Sequence, residues 1–152
     1  MQSTHELEQK SIDLLQSAVN HLEHSCEEPL QTVAAAARSS KGDIMTAVNL
    51  YHFNGGPCAE SVILANNLYK EKNIDEIVAV HYDDEGNAEI INPCGRCRQM
   101  FNDYVPDIKI IVDDDRIAKS VGVDRVLPFS YKNKALEYRR VKKSTDNEEV
   151  EK

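Results

Sequence analysis

No stretch of this 152-residue chain approaches the roughly 18 apolar residues of a membrane-spanning helix, so no membrane partner is expected. Positive charge is also scarce. With 18 Lys and Arg against 26 Asp and Glu, the formal net charge of −8 speaks against non-specific binding to nucleic acid or to an anionic membrane surface. The first residues, MQSTHELEQK, are polar and lack the apolar core of a signal peptide, which leads to the expectation of a cytoplasmic protein whose thiols stay reduced. Cysteine is limited to Cys26, Cys58, Cys94 and Cys97. In a reducing compartment the Cys94-x-x-Cys97 pair suggests metal or redox chemistry rather than a structural disulfide, whereas the lone Cys26 reads as a small, at least partly buried residue.

What is present is the patterning of one α/β domain, expected over residues 1–133, with a hydrophobic content of 41% that suits a globular core. Ser3 and Glu6 read as a capping box ahead of Leu7, Leu14, Leu15, Ala18, Val19 and Leu22 at helical spacing, a helix ending near Cys26–Pro29. Thr32–Ala37 and Ile44–Tyr51 read as the strands of a hairpin. Gly55-Gly56-Pro57 ends the second strand and sets proline at the first turn of a helix from about Cys58 to Lys72, with Val62, Ile63, Leu64, Ala65 and Leu68 buried.

The continuous apolar run Ile77–Val80 marks a strand covered on both faces. Asp83–Asn87 reads as a turn and Ala88–Ile91 as a short extended piece. Pro93 opens another helix, carrying Met100, Phe101 and Tyr104, which Pro106 stops before a strand at Ile108–Val112. The order predicts a three-layer α/β/α arrangement around a mixed sheet of about five strands. Residues 134–152 form a charged C-terminal extension, basic at Arg139–Lys143 and acidic at Asp146–Glu151, expected to be partly disordered.

Both Pro-Cys units fall where a strand gives way to a helix. Free N–H groups and the positive end of the helix dipole favour thiolate there. Cys94 and Cys97, three residues apart, share a helix face and can hold one ion, and Cys58 supplies a third sulfur. Three protein ligands with a fourth position free is the pattern of a catalytic zinc, although three thiols also fit a structural ion. Glu60, two residues beyond Cys58, is placed to move a proton of water acidified by the metal; alone it would read as a first-turn acid complementing the helix dipole. Arg96 and Arg98 are suited to donate hydrogen bonds to the sulfurs and to offset their charge.

Cys58-Ala59-Glu60 together with Pro93-Cys94-Gly95-Arg96-Cys97-Arg98-Gln99 resembles the cytidine deaminase family, whose all-cysteine variant pairs a ligand-x-Glu unit with P-C-x-x-C. The resemblance covers roughly Thr32 to Tyr131. It implies a cytidine-deaminase-like fold, one Zn²⁺ per subunit on Cys58, Cys94 and Cys97, and Glu60 as proton carrier. It further implies a homo-tetramer and a small-molecule cytosine nucleoside as substrate.

Within the family, Val48–Glu60, Leu127-Pro128 and Tyr131 are most similar to the branch that detoxifies a cytosine-nucleoside antibiotic. This likeness implies substrate contacts from Asn49, Tyr131 and Thr32, although an ordinary strand residue also explains Thr32 and a core aromatic Tyr131. Ordinary cytidine deaminases carry Asn-x-Glu where this chain has Asn49-Leu50-Tyr51, and that glutamate holds the ribose. The chain departs from the antibiotic branch at Asn133, where a tryptophan is expected, and at Ala88, where an arginine is expected. A cytidine or deoxycytidine deaminase of pyrimidine salvage is therefore the alternative. A non-catalytic zinc-stabilised module is a further one, and the retained Glu60 argues against it.

Overall fold

The computed structural model describes residues 1–27, 29–68 and 73–136. The basic and acidic runs after residue 137 and the expected helix end at Lys72 lie outside them. The elements, in chain order, are α1 (Gln9–Ser25), β1 (Val33–Ser39), β2 (Ile44–Val48), α2 (Ala59–Leu68), β3 (Ile74–Tyr82), β4 (Ala88–Ile90), α3 (Gly95–Tyr104), β5 (Lys109–Asp114), β6 (Ile117–Gly122) and α4 (Val123–Val126).

The strands form one mixed sheet in the order β2-β1-β3-β5-β6, with β4 pairing to β3 off this path. β1 and β2 make the expected antiparallel hairpin, in register from Ala34↔Val48 to Arg38↔Ile44. β1 occupies one edge of β3 from Val33↔His81 to Ser39↔Ile74. The other edge is divided between β5, parallel at Glu76 and Ile77, and β4, antiparallel at Val80–Tyr82. The β3–β5 pairing is the parallel one because helix α3 intervenes, and a crossover is what parallel neighbours need.

Side chains alternate across the sheet, and each face is covered by helices. Ala34, Ala36, Val78, Val80 and Ile111 pack with Leu14, Leu15, Ala18, Val19 and Leu22 of α1. Ala35, Ala37, Ile77, Ala79, Ile110 and Val112 pack with Ile63 and Leu64 of α2 and with Cys97 and Phe101 of α3. The Ala34–Ala37 run, entirely buried, leaves room for helices to lie close on both faces. One of the site cysteines is thus a core residue of the α2/α3 layer.

Four expectations need correction. Ser3 caps no helix: α1 starts at Gln9 after Glu8, with no side-chain cap. Ser3 is held instead by backbone bonds to Arg116 and Ala118 beside β6, and the buried Gln2 side chain bonds Ile90 and Asp113. Strand β6 was not expected. Its hairpin turn uses Asp115 (φ 52°) and Arg116 (φ 68°), both left-handed, without the Asn-Gly or Asp-Gly that normally marks such a turn.

Helix α2 buries Ala59, Glu60, Ile63, Leu64 and Asn67, while Ala65 and Leu68 face outward and Val62 is half-buried. Finally, neither proline opens a helix. α2 begins at Ala59, so Pro57 precedes it by two residues, and Cys94 is the N-cap of α3 with Pro93 outside.

Candidate active site

The site forms where the loop after β2 meets the starts of α2 and α3. Asn49 closes that loop onto β1: its Oδ1 accepts from the N–H groups of Thr32 (2.8 Å) and Val33 (2.9 Å), and its Nδ2 donates to Thr32 Oγ1 at 3.4 Å. The Leu50 N–H donates to the Pro57 carbonyl at 3.1 Å, pinching the segment between them into a neck. Gly56 sits at the narrowest point, where a Cβ would lie 1.7 Å from the Leu50 carbonyl oxygen. Only glycine fits such an approach. The neck delivers Cys58 to the residue just before α2.

On the facing helix, Cys94 caps α3, its sulfur accepting from the Cys97 N–H at 3.5 Å. Cys97 is fully buried, Cys58 half-buried and Cys94 exposed. The three Sγ atoms all lie within 4.8 Å of one another, and those of Cys58 and Cys94 are 3.7 Å apart. Sulfurs on a tetrahedral zinc, each ~2.3 Å from the metal, are ~3.8 Å apart, so the observed pair already has the right separation.

The charges favour the same occupant. Burial raises the Cys94 thiol pKa, but hydrogen bonds from the Cys97 and Arg96 backbones and the neighbouring thiols outweigh it, leaving the pKa below the ordinary value. Burial, with the charges of Glu60, Cys58 and Cys94, pushes the Cys97 thiol far up. A Cys97 thiolate is thus disfavoured in the empty cluster, and a divalent cation among the three sulfurs removes that conflict. Among the described residues, no fourth His, Cys, Asp or Glu joins the group. The donor set therefore fits a metal ion held on three sulfurs.

Glu60, on the first turn of α2, is 6% exposed and faces the same space. Burial holds its carboxyl above the usual range, opposed by hydrogen bonds from its own backbone and from Cys97. Arg96 reaches back from α3, its Nη2 lying 2.9 Å from the Gly56 carbonyl and 3.6 Å from Cys58 Sγ. Arg98 behaves differently: its guanidinium donates to the carbonyls of Pro93 (2.7 Å) and Val126 (3.0 Å), which fixes α3 against α4.

Cys58, Glu60 and Cys94 line a pocket of about 220 Å³ whose other walls include Asn49, Tyr51, His52, Ile91 and Asn92. Asn49 is thus on the pocket wall, with its amide engaged by Thr32 and Val33. Thr32 and Tyr131 are exposed and not part of that lining; the Tyr131 carbonyl accepts from Gln99 Nε2 at 3.1 Å. Ala88 packs on the α1 side of the sheet, and neither it nor Asn133 lines the pocket. Asn92 was not anticipated from the sequence. Its amide clamps the Asp113 backbone, donating to the carbonyl at 2.9 Å and accepting from the N–H at 2.8 Å, which anchors the segment leading to Cys94 on β5.

No protein-family model matches the chain. It is 28% identical over 135 residues to the blasticidin-S deaminase of Bacillus cereus, an alignment covering 84% of this chain and 96% of the relative. Its fold matches the solved cytidine deaminase of Burkholderia pseudomallei with a TM-score of 0.64 at 20% identity, covering 79% of this chain and 98% of the other. The cytidine deaminase of Mycobacterium leprae gives 0.61 at 23% identity, covering 78% and 97%. The chain is thus similar in sequence to blasticidin-S deaminase and has a cytidine-deaminase-like α/β/α fold.

Proposed function

We propose that the chain is a zinc-dependent hydrolytic deaminase that converts a cytosine nucleoside to its uracil form with release of ammonia, with blasticidin S as substrate. The observation that carries this reading is the buried Glu60 carboxyl beside the three-sulfur cluster, at the base of a pocket. A structural ion has no use for a buried carboxyl next to it, and the cost of that burial is what a catalytic proton carrier needs.

Cys58, Cys94 and Cys97 would hold the zinc, which supplies Lewis-acid activation of water for attack on the amino-bearing ring carbon, C4. Glu60 takes a proton from the water and passes it to ring N3. A second proton follows to the departing amino group, so that one water enters and one ammonia leaves. One carboxyl serves both steps because the proton it accepts is the proton it hands on. Arg96 holds Cys58 and the Gly56 neck in one geometry. The apolar wall at Val33 and Ile91 suits the flat face of a pyrimidine.

Conversion of cytidine is the second reading, favoured by Asn133 and Ala88 at the two departures from the antibiotic branch. Incubating zinc-loaded protein separately with blasticidin S and cytidine, and separating the products chromatographically, distinguishes the two. The deaminated antibiotic supports the first reading, deaminated cytidine alone the second. Neither product, from protein carrying one zinc per chain, excludes both. A cytoplasmic homo-tetramer belongs to the same proposal, and sedimentation as a monomer at micromolar concentration contradicts that part of it.

A further inference from the structure

We propose that His52 is a specificity residue: its Nε2–H donates a hydrogen bond to an acceptor oxygen on the sugar of the bound nucleoside. The inference rests on the deaminase reading and adds the group that tells a nucleoside from a bare base.

Most polar atoms of the pocket are already engaged. Asn92 has both amide groups on the Asp113 backbone. Asn49 has its oxygen on two N–H groups and its nitrogen turned to Thr32. Glu60 and the cysteines belong to the reaction centre. Tyr51 and His52 remain, adjacent on the exposed arm of the β2–α2 loop.

These two differ in how they are held. His52 Nδ1 accepts from the Asn54 N–H at 3.1 Å, and its ring packs on Phe53 with centroids 4.5 Å apart and planes at 37°. An imidazole whose Nδ1 accepts a backbone N–H carries its ring proton on Nε2. Nε2–H is then a donor with no partner among the described residues, on a ring tethered through its other nitrogen. Such preorganisation makes a single hydrogen bond selective. Tyr51 has no comparable tether.

The rest of the lining narrows the ligand chemistry. His52 is the one imidazole of the lining, and apart from the thiols Glu60 is the one acid. No Asp or Glu lines the outer wall to draw a positively charged group. A sugar hydroxyl or a sugar carboxylate presents the acceptor that His52 fits.

The test measures binding rather than turnover, using zinc-loaded Glu60→Gln protein as the parent. Calorimetry compares cytidine, its 5′-carboxylate analogue and 1-methylcytosine, which has no sugar. His52→Asn keeps an acceptor for Asn54 but loses the distal donor; His52→Gln keeps a donor further out. We expect His52→Asn to weaken cytidine by about three- to tenfold and a charged carboxylate by up to about a hundredfold. Binding of 1-methylcytosine is expected to change less than twofold, with His52→Gln recovering most of the loss.

A carboxylate loss well above the cytidine loss identifies a charged acceptor, and similar losses identify a hydroxyl. Equal weakening of all three ligands, or no weakening of either nucleoside, overturns the proposal. Nucleoside binding without turnover by the wild-type enzyme removes the deaminase reading but leaves the contact standing; absence of all binding removes both.

Discussion

Arg96 and Cys58 are joined by a hydrogen bond of 3.6 Å from guanidinium to sulfur, and the same Nη2 reaches the Gly56 carbonyl at 2.9 Å. One side chain on α3 therefore fixes both a metal-ligand candidate and the neck that presents it. Removing it leaves the Cys58 sulfur without its positive neighbour. Arg96→Gln is expected to lower zinc affinity by about 10- to 100-fold, measured by competition with a chromophoric chelator. Unchanged affinity would mean that the arginine only braces the loop.

Gly56 and Gly55 are neighbours with different constraints. A methyl group on Gly56 collides with Leu50, whereas Gly55, at φ 85°, has open space and only a left-handed backbone to satisfy. Gly56→Ala is expected to cost ~2–4 kcal/mol and to abolish stoichiometric zinc binding. Gly55→Ala should cost ~1–2 kcal/mol and keep the metal. Thermal unfolding with zinc analysis of both variants checks the contrast.

The buried charge at Glu76 lies away from the pocket, 3% exposed. It accepts from Ser11 Oγ (2.8 and 2.9 Å), Arg38 Nη2 (2.8 Å) and Ser120 Oγ, tying α1 to β1, β3 and β6. Glu76→Ala leaves Arg38, itself mostly buried, with the Lys10 carbonyl but without its carboxylate partner. A loss of ~3–5 kcal/mol is expected in denaturant unfolding, with zinc stoichiometry retained by the folded fraction. A loss below ~1 kcal/mol would show the network to be solvated.

The raised pKa of Glu60 has a thermodynamic counterpart in metal-free protein. A carboxyl with a higher pKa folded than unfolded binds more protons in the folded state. Its contribution therefore falls as pH rises from the ordinary carboxylate range through the raised folded value. Glu60→Gln should lose that part of the pH dependence and, in chelator, be at least as stable as wild type at pH 8. Chemical unfolding of both proteins at pH 5 and pH 8 checks the sign; a Gln variant less stable at pH 8 than at pH 5, relative to wild type, contradicts it.

The candidate site was more legible in the sequence than its surroundings. Cys58, Glu60, Cys94 and Cys97 lie in two short motifs; the structure clusters the three sulfurs and sets Cys58, Cys94 and Glu60 on one pocket. The two-sided core was legible from Ile77–Val80, because only a strand covered on both faces has no polar alternation. Strand β6 was not, since its turn is made by Asp115 and Arg116 rather than by glycine. The Ser3 capping signal was local, and the backbone bonds of Ser3 to Arg116 and Ala118 are not. The Asn92 clamp and the Arg98 bonds to Pro93 and Val126 likewise depend on tertiary partners that spacing cannot reveal.

The deaminase claim is tested most directly by following the ultraviolet band of the cytosine chromophore in blasticidin S and in cytidine, with zinc-loaded wild-type and Glu60→Gln proteins side by side. The account expects the band to decay with at least one nucleoside in wild type, with equimolar ammonia, and to persist in the variant despite retained zinc. A band that persists with both nucleosides in wild-type protein carrying one zinc per chain, or that decays equally in the variant, would contradict it.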